Sequence, residues 1–168
     1  MKAALRTGVK ELVALSTDKA VNPINIHGER YTWVGDASQA IPMLVKKIMS
    51  GDDPVVIWGS GAQRRNYLHA KDCADAMVGL IESDFSGVVN IGTEETVTLR
   101  ELAEAICQVA GRAPRLVMDT SRPEGRRVKS SDSTLLRAAY SGFAPTIDLT
   151  NGLQRMATWY RSTFADMR

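Results

Sequence analysis

Apolar residues in this chain occur both at helical spacing and in short continuous runs, which predicts alternating helices and strands. The run at residues 12–15 is typical of a buried parallel strand. The predicted helices are 38–49, one that begins at Asp72, one that begins after Thr98, 133–140 and 151–164. The predicted strands after the first are 54–58, 65–69, 87–92 and 116–118. This alternation favours the α/β class.

Two local signals refine this picture. Thr98 and Glu101 have the spacing of a capping box, in which each side chain satisfies the other residue's backbone N–H at a helix start. The turn Gly59-Ser60-Gly61 lies between two predicted strands, so the pattern predicts a hairpin-like unit.

Composition excludes several functional classes. The 168 residues are 44% hydrophobic, enough for one domain with its own core, and the net charge of +2 gives no argument for a nucleic-acid or membrane partner. The N-terminus lacks a secretory apolar region, and Cys73 and Cys107 lie in helical patterns without redox spacing. We expect buried thiols and a cytoplasmic protein. His27 and His69 are far apart in the sequence, so no metal site is expected.

Five blocks along the chain carry a family signature when taken in order. They are Ser16-Thr17-Asp18-Lys19, Arg64-Arg65-Asn66-Tyr67-Leu68-His69, Asp72-Cys73-Ala74-Asp75-Ala76, Asn90-Ile91-Gly92 with the capping box, and Pro123-Glu124-Gly125 with Asp132. This order resembles the C-terminal, substrate-binding portion of the NAD-dependent epimerase/dehydratase family, the extended short-chain dehydrogenases/reductases. The nucleotide-sugar epimerases and dehydratases, including the GDP-fucose synthases, are the nearest in pattern.

The resemblance implies a fold and a domain organisation. We expect the remnant of a Rossmann-like parallel sheet, followed by the small α/β substrate-binding lobe of these enzymes. Residues 1–35 would be the residual strand and loop, and residues 36–168 the nucleotide-sugar-binding lobe of a single domain.

The same resemblance implies a set of ligand-binding residues. Arg65 matches the arginine that reaches the diphosphate of the nucleotide sugar, and guanidinium groups bind such oxygens bidentately. A second basic cluster contains Arg122, Arg126, Arg127 and Lys129. The alignment slips between Arg127 and Lys129 and leaves the equivalent residue open. A solvated basic loop is the alternative. Trp58 is a candidate for stacking on the base, although strand-end tryptophans are more often part of a core.

The family's cofactor and catalytic signatures are missing where the resemblance places them. No G-x-G-x-x-G occurs, and Gly59 and Gly61 lead into a predicted strand rather than a helix, so we expect no NAD(P) site in this chain. The family's catalytic Tyr and Lys would fall at His27 and Tyr31, or their segment is absent. Of the catalytic residue types that the resemblance implies, only Thr17 and its neighbour Ser16 are then left.

Three interpretations remain open at this stage. The first is a truncated family member that binds a nucleoside diphosphate sugar without hydride transfer. The second is an interaction module in which homo-oligomerisation covers the open sheet edge at residues 12–15. The third is one part of a split enzyme whose partner brings the NAD site.

Overall fold

The computed structural model of the chain describes residues 39–164. Its helices are α1 (Ala40–Ser50), α2 (Ala70–Ile81), α3 (Leu99–Ala110), α4 (Thr134–Ala139) and α5 (Leu149–Phe164). Its strands are β1 (Val55–Trp58), β2 (Arg64–Arg65), β3 (Val97–Thr98), β4 (Leu116–Asp119) and β5 (Val128–Lys129). The predicted strand at 12–15, residues 1–35 as a whole and Thr17 lie outside the described residues.

The five predicted helices are confirmed, and their starts agree with the predictions to within two residues. The α2 helix begins at Ala70 rather than at Asp72, because the ring of His69 caps it and accepts a hydrogen bond from the backbone N–H of Lys71 at 3.1 Å. Asp72 is therefore the third residue of the helix, and its buried carboxylate is used elsewhere. Within residues 39–164, no helix is both long enough and apolar enough to cross a membrane.

The predicted hairpin is wrong, because β1 and β2 belong to different sheets. The β1 strand pairs in parallel with β4, with Val55 opposite Leu116, whereas β2 pairs antiparallel with β3 and parallel with β5. Gly59 and Gly61 have φ values of 81° and 74°, a conformation that glycine adopts without strain. The turn therefore carries the chain out of the first sheet and into the second.

Two predicted strands are shorter or absent in the described chain. Of the predicted strand at 65–69, only Arg65 lies in a ladder, together with the preceding Arg64. Residues 87–92 form a connection without strand pairing. Val88 is 92% exposed, while Val89 and Ile91 pack against a small core cluster. The predicted strand at 87–92 was therefore wrong, because no neighbouring strand of the described chain pairs with the segment.

Two clusters of apolar side chains hold the described chain together. The larger one joins α1, β1, α3 and α5 through fully buried residues such as Leu44, Ile57, Leu102 and Leu153. The smaller one joins α2 to α4 and includes Leu136. Cys73 and Cys107 are buried free thiols, as predicted.

The predicted capping box at the start of α3 is confirmed. The hydroxyl of Thr98 accepts from the N–H of Glu101 at 3.1 Å, and the Glu101 carboxylate accepts from the N–H of Thr98 at 2.7 Å. We expect Thr98→Ala to lower the free energy of unfolding by about 1 kcal/mol, the usual contribution of an N-cap side chain. Urea denaturation checks this. Thr158→Ala, on the exposed face of α5, is the control, and an equal loss in both variants would contradict the prediction.

Candidate functional site

A cavity of about 470 Å³ opens between the second sheet and the segment that leads into α5. Its size falls in the range of small-molecule sites. Its walls come from β2, β3, α4 and the segments 92–95 and 143–149. The lining residues are Arg65, Tyr67, Gly92, Thr93, Glu94, Glu95, Val97, Arg137, Phe143, Pro145, Thr146, Ile147, Asp148 and Leu149.

Arg65 lies in the wall of this cavity, and Lys129 lies beside it on the neighbouring strand. The two residues are directly opposite in the parallel pairing of β2 and β5, so their side chains project from the same face of the sheet. Arg64 projects from the other face, where its guanidinium donates to the hydroxyl of Thr96 at 3.0 Å. Arg127 precedes β5, and its carbonyl accepts from the N–H of Arg64 at 2.7 Å. Of the two residues between which the alignment slips, Lys129 is the one in register with Arg65.

The other two predicted ligand-binding residues, Arg122 and Trp58, contact each other. Of the five predicted residues, only Arg65 lines the cavity. The guanidinium of Arg122 lies 5.2 Å from the centre of the Trp58 ring and 3.7 Å from the carboxylate of Asp119. Glu124 holds the same loop by accepting from the hydroxyl of Ser60 at 2.7 Å. Arg122 therefore covers the ring face that it contacts, and a ligand role for either residue stays a prediction.

Asp72 holds one wall of the cavity, a role that the sequence did not indicate. Its side chain is 2% exposed, and it accepts from the N–H of Thr146 at 3.0 Å, the hydroxyl of Thr146 at 2.8 Å and the N–H of Ile147 at 3.1 Å. Burial alone would raise the pKa of Asp72, but the hydrogen bonds together outweigh it and hold the pKa below its usual value. An acidic residue in the first turn of a helix is common for other reasons, so the sequence carried no specific signal.

Two further polar contacts shape the segment 92–95. The amide of Asn66 is buried and donates to the carbonyl of Thr93 at 2.6 Å and to the hydroxyl of Ser131 at 2.5 Å. The Glu94 carboxylate pairs with the guanidinium of Arg137 in the cavity wall, with Oε1 and Nη2 2.5 Å apart. Sequence reasoning missed both contacts, because each joins residues far apart along the chain. Among residues 39–164, no group of His, Cys, Asp and Glu side chains could hold a metal ion.

Comparisons with known proteins identify the family. The model of the NAD-dependent epimerase/dehydratase family matches residues 19–92, and the model of a polysaccharide biosynthesis protein family matches residues 1–34. Putative GDP-L-fucose synthase 2 of Arabidopsis thaliana is 38% identical over 144 residues, covering 82% of this chain and 43% of the relative. GDP-mannose 3,5-epimerase 1 of Oryza sativa subsp. japonica is 34% identical over 137 residues, covering 82% and 36%. This chain belongs to the NAD-dependent epimerase/dehydratase family.

Solved structures agree with the predicted α/β fold class. UDP-N-acetylglucosamine 4-epimerase from Methanobrevibacter ruminantium M1, solved with UDP-N-acetylmuramic acid, superposes with a TM-score of 0.71 at 26% identity. That match covers 85% of this chain and 44% of the epimerase chain. The chain thus spans less than half the length of these epimerase/dehydratase relatives. The predicted Rossmann-like class, with parallel strand pairing, is confirmed.

The catalytic pair of the epimerase/dehydratase family, a Tyr followed four residues later by a Lys, has a formal counterpart that we had not recognised in the sequence. Tyr67 and Lys71 have this spacing. In the structure, however, burial raises the pKa of Tyr67 to about 12, against a smaller lowering by Arg65, whereas a catalytic tyrosine needs a lowered pKa. The ammonium of Lys71 is paired with Asp75 on the same helix. Lys71 is not among the groups that shift the pKa of Tyr67, so this structure does not show the lysine lowering the tyrosine pKa as in the family's pair.

Proposed function

We propose that this chain is the nucleotide-sugar-binding lobe of an epimerase/dehydratase and binds a nucleoside diphosphate sugar in the cavity beside Arg65. The pairing of Arg65 with Lys129 carries this proposal. A diphosphate has adjacent anionic oxygens. Arg65 in the cavity wall and Lys129, opposite it on the same face of the sheet, provide two cations for them. The strand pairing fixes the backbone positions of the two residues before the ligand arrives, which reduces the entropy lost on binding.

The names of the relatives favour a guanosine diphosphate sugar. The GDP-L-fucose synthase of Arabidopsis thaliana and the GDP-mannose 3,5-epimerase of Oryza sativa are 38% and 34% identical to this chain. Two epimerases solved with UDP-linked ligands are 24% and 26% identical. We therefore propose a GDP-sugar as the ligand.

The reaction of the family requires NAD(P), which supplies the hydride acceptor and donor when bound. This sequence contains no glycine-rich dinucleotide turn and no Tyr–Lys pair at the positions that the family pattern indicates. The cavity residues of this chain would bind the nucleotide and hold its diphosphate. We propose that a dinucleotide site outside these residues completes any hydride transfer.

The compartment and the oligomeric state belong with this proposal. Burial raises the pKa of the Cys73 and Cys107 thiols, so little reactive thiolate forms, which suits a reducing, cytoplasmic compartment. The predicted homo-oligomer depends on residues 12–15, outside the described part of the chain, and stays a prediction.

Isothermal titration calorimetry with GDP tests the proposal directly. We expect the wild type to bind GDP and Arg65→Ala to bind it at least about tenfold more weakly, because a charge-assisted contact to the diphosphate is lost. Arg64→Ala is the matched control, since Arg64 lies next in the sequence but on the opposite face of the strand. NADH should not bind. Absence of GDP binding, or an equal loss in both arginine variants, would overturn the proposal.

A further inference from the structure

The cavity contains charges of both signs, and binding a diphosphate accounts only for the positive ones. Arg65 and Arg137 line it together with Glu94, Glu95 and Asp148. Carboxylates repel a diphosphate, so their presence calls for a part of the ligand that donates hydrogen bonds. A nucleotide sugar has such donors on its base and on its hydroxyl groups.

The Glu94–Arg137 pair presents an acceptor and a donor side by side. Glu94 Oε1 lies 2.5 Å from Arg137 Nη2, and the side chains are 57% and 47% exposed, so both groups keep further hydrogen-bonding atoms accessible. A carboxylate has two acceptor oxygens and a guanidinium has five N–H donors, and their contact with each other uses only some of these atoms. The pair can therefore engage a ligand without separating.

We propose that Glu94 and Arg137 bind the base of the nucleotide and select guanine. This inference rests on the proposed function and specifies its base. Guanine has two adjacent donors, N1–H and the N2 amino group, next to the acceptor O6. A carboxylate accepts from both donors at once, and an arginine donates to the acceptor beside them.

Uracil fits the same pair poorly. It has a single ring N–H between two carbonyl groups, so the second oxygen of Glu94 would face a carbonyl oxygen instead of an amino group. A carboxylate oxygen and a carbonyl oxygen repel each other. Two acceptors that face each other weaken binding more than the absence of one of the groups would. Guanine is therefore favoured by a match of donors and by a penalty against the pyrimidine.

The experiment measures binding of GDP, inosine diphosphate and UDP by calorimetry to the full chain. Inosine diphosphate lacks only the N2 amino group. We expect the wild type to bind GDP about tenfold more tightly than inosine diphosphate and UDP, because each loses a hydrogen bond to a charged group. In Glu94→Gln the difference between GDP and inosine diphosphate should largely disappear. Arg137→Gln should weaken GDP binding more than UDP binding.

The controls separate this inference from the proposed function. Glu104→Gln and Arg100→Gln remove members of a similarly exposed ion pair on α3 outside the cavity lining, and should leave all three affinities unchanged. Circular dichroism confirms that each variant is folded. If GDP and UDP both bind through Arg65 but Glu94→Gln leaves their ratio unchanged, the pair does not read the base and the cavity proposal stands. If no nucleotide binds, or Arg65→Ala has no effect, both proposals fall.

Discussion

Asp72→Asn is expected to lower the free energy of unfolding by about 3 kcal/mol, although it changes only one atom of the side chain. The carboxylate accepts three hydrogen bonds in a buried position, two from Thr146 and one from Ile147. The amide of asparagine has only one acceptor oxygen. If that oxygen keeps the bonds from Thr146, the NH₂ group faces the N–H of Ile147, and neither of these two donors then has an acceptor. A buried donor without a partner is costly, and the remaining bonds lose the charge that strengthens them.

The stabilising effect of Asp72 should depend on pH in a defined direction. Its pKa is lower in the folded chain than the usual value, so the folded state favours the ionised carboxylate. The advantage of wild type over Asp72→Asn should be complete above the unfolded pKa of about 4, and should be lost as the pH falls through the lower folded pKa. Urea denaturation of both proteins between pH 7 and pH 2.5 measures this.

Asp75→Asn is the matched control for this prediction. Asp75 lies about one helical turn after Asp72, pairs with Lys71 at the surface and is more than half exposed. Losing its carboxylate should therefore change stability far less. Because Thr146 and Ile147 line the cavity, Asp72→Asn should also weaken GDP binding under conditions in which it is folded. Equal stability of the two variants would show that the three hydrogen bonds contribute little.

Local features of this fold could be predicted from the sequence, because local interactions decide them. The spacing of Leu44 and Ile48 was sufficient to place α1, and the types of residues at Thr98 and Glu101 placed the start of α3. Strand pairing depends on distant segments. Nothing near Gly59 indicates that β1 pairs with a strand at residue 116, so the hairpin prediction failed.

The candidate site also combines residues that the sequence could indicate with residues that only the folded structure brings together. The family pattern was sufficient to single out Arg65, whereas the place of Lys129 required the register of β5 against β2. The Glu94–Arg137 pair joins residues 43 positions apart. No periodic pattern connects such positions, so only the folded chain brings these charges into one cavity wall.

Leu136→Ala should lower the free energy of unfolding by about 3 kcal/mol, the usual result of removing a fully buried leucine side chain. Leu136 is 0% exposed and packs with Ala76 and Leu80 in the smaller cluster between α2 and α4. The loss combines the transfer of apolar surface with the cavity that remains, since the rigid neighbours on α2 cannot close it completely. Urea denaturation followed by tryptophan fluorescence at 25 °C measures the change.

Leu135→Ala provides the matched control, because it is the same substitution at the adjacent position of the same helix. Leu135 is 50% exposed, so the change should be less than about 1 kcal/mol. Arg137, which follows Leu136, lines the cavity. A loosened α4 should therefore also weaken GDP binding in Leu136→Ala but not in Leu135→Ala. Equal losses of stability in the two variants would mean that α4 is not anchored through Leu136, and the position of Arg137 would then need another explanation.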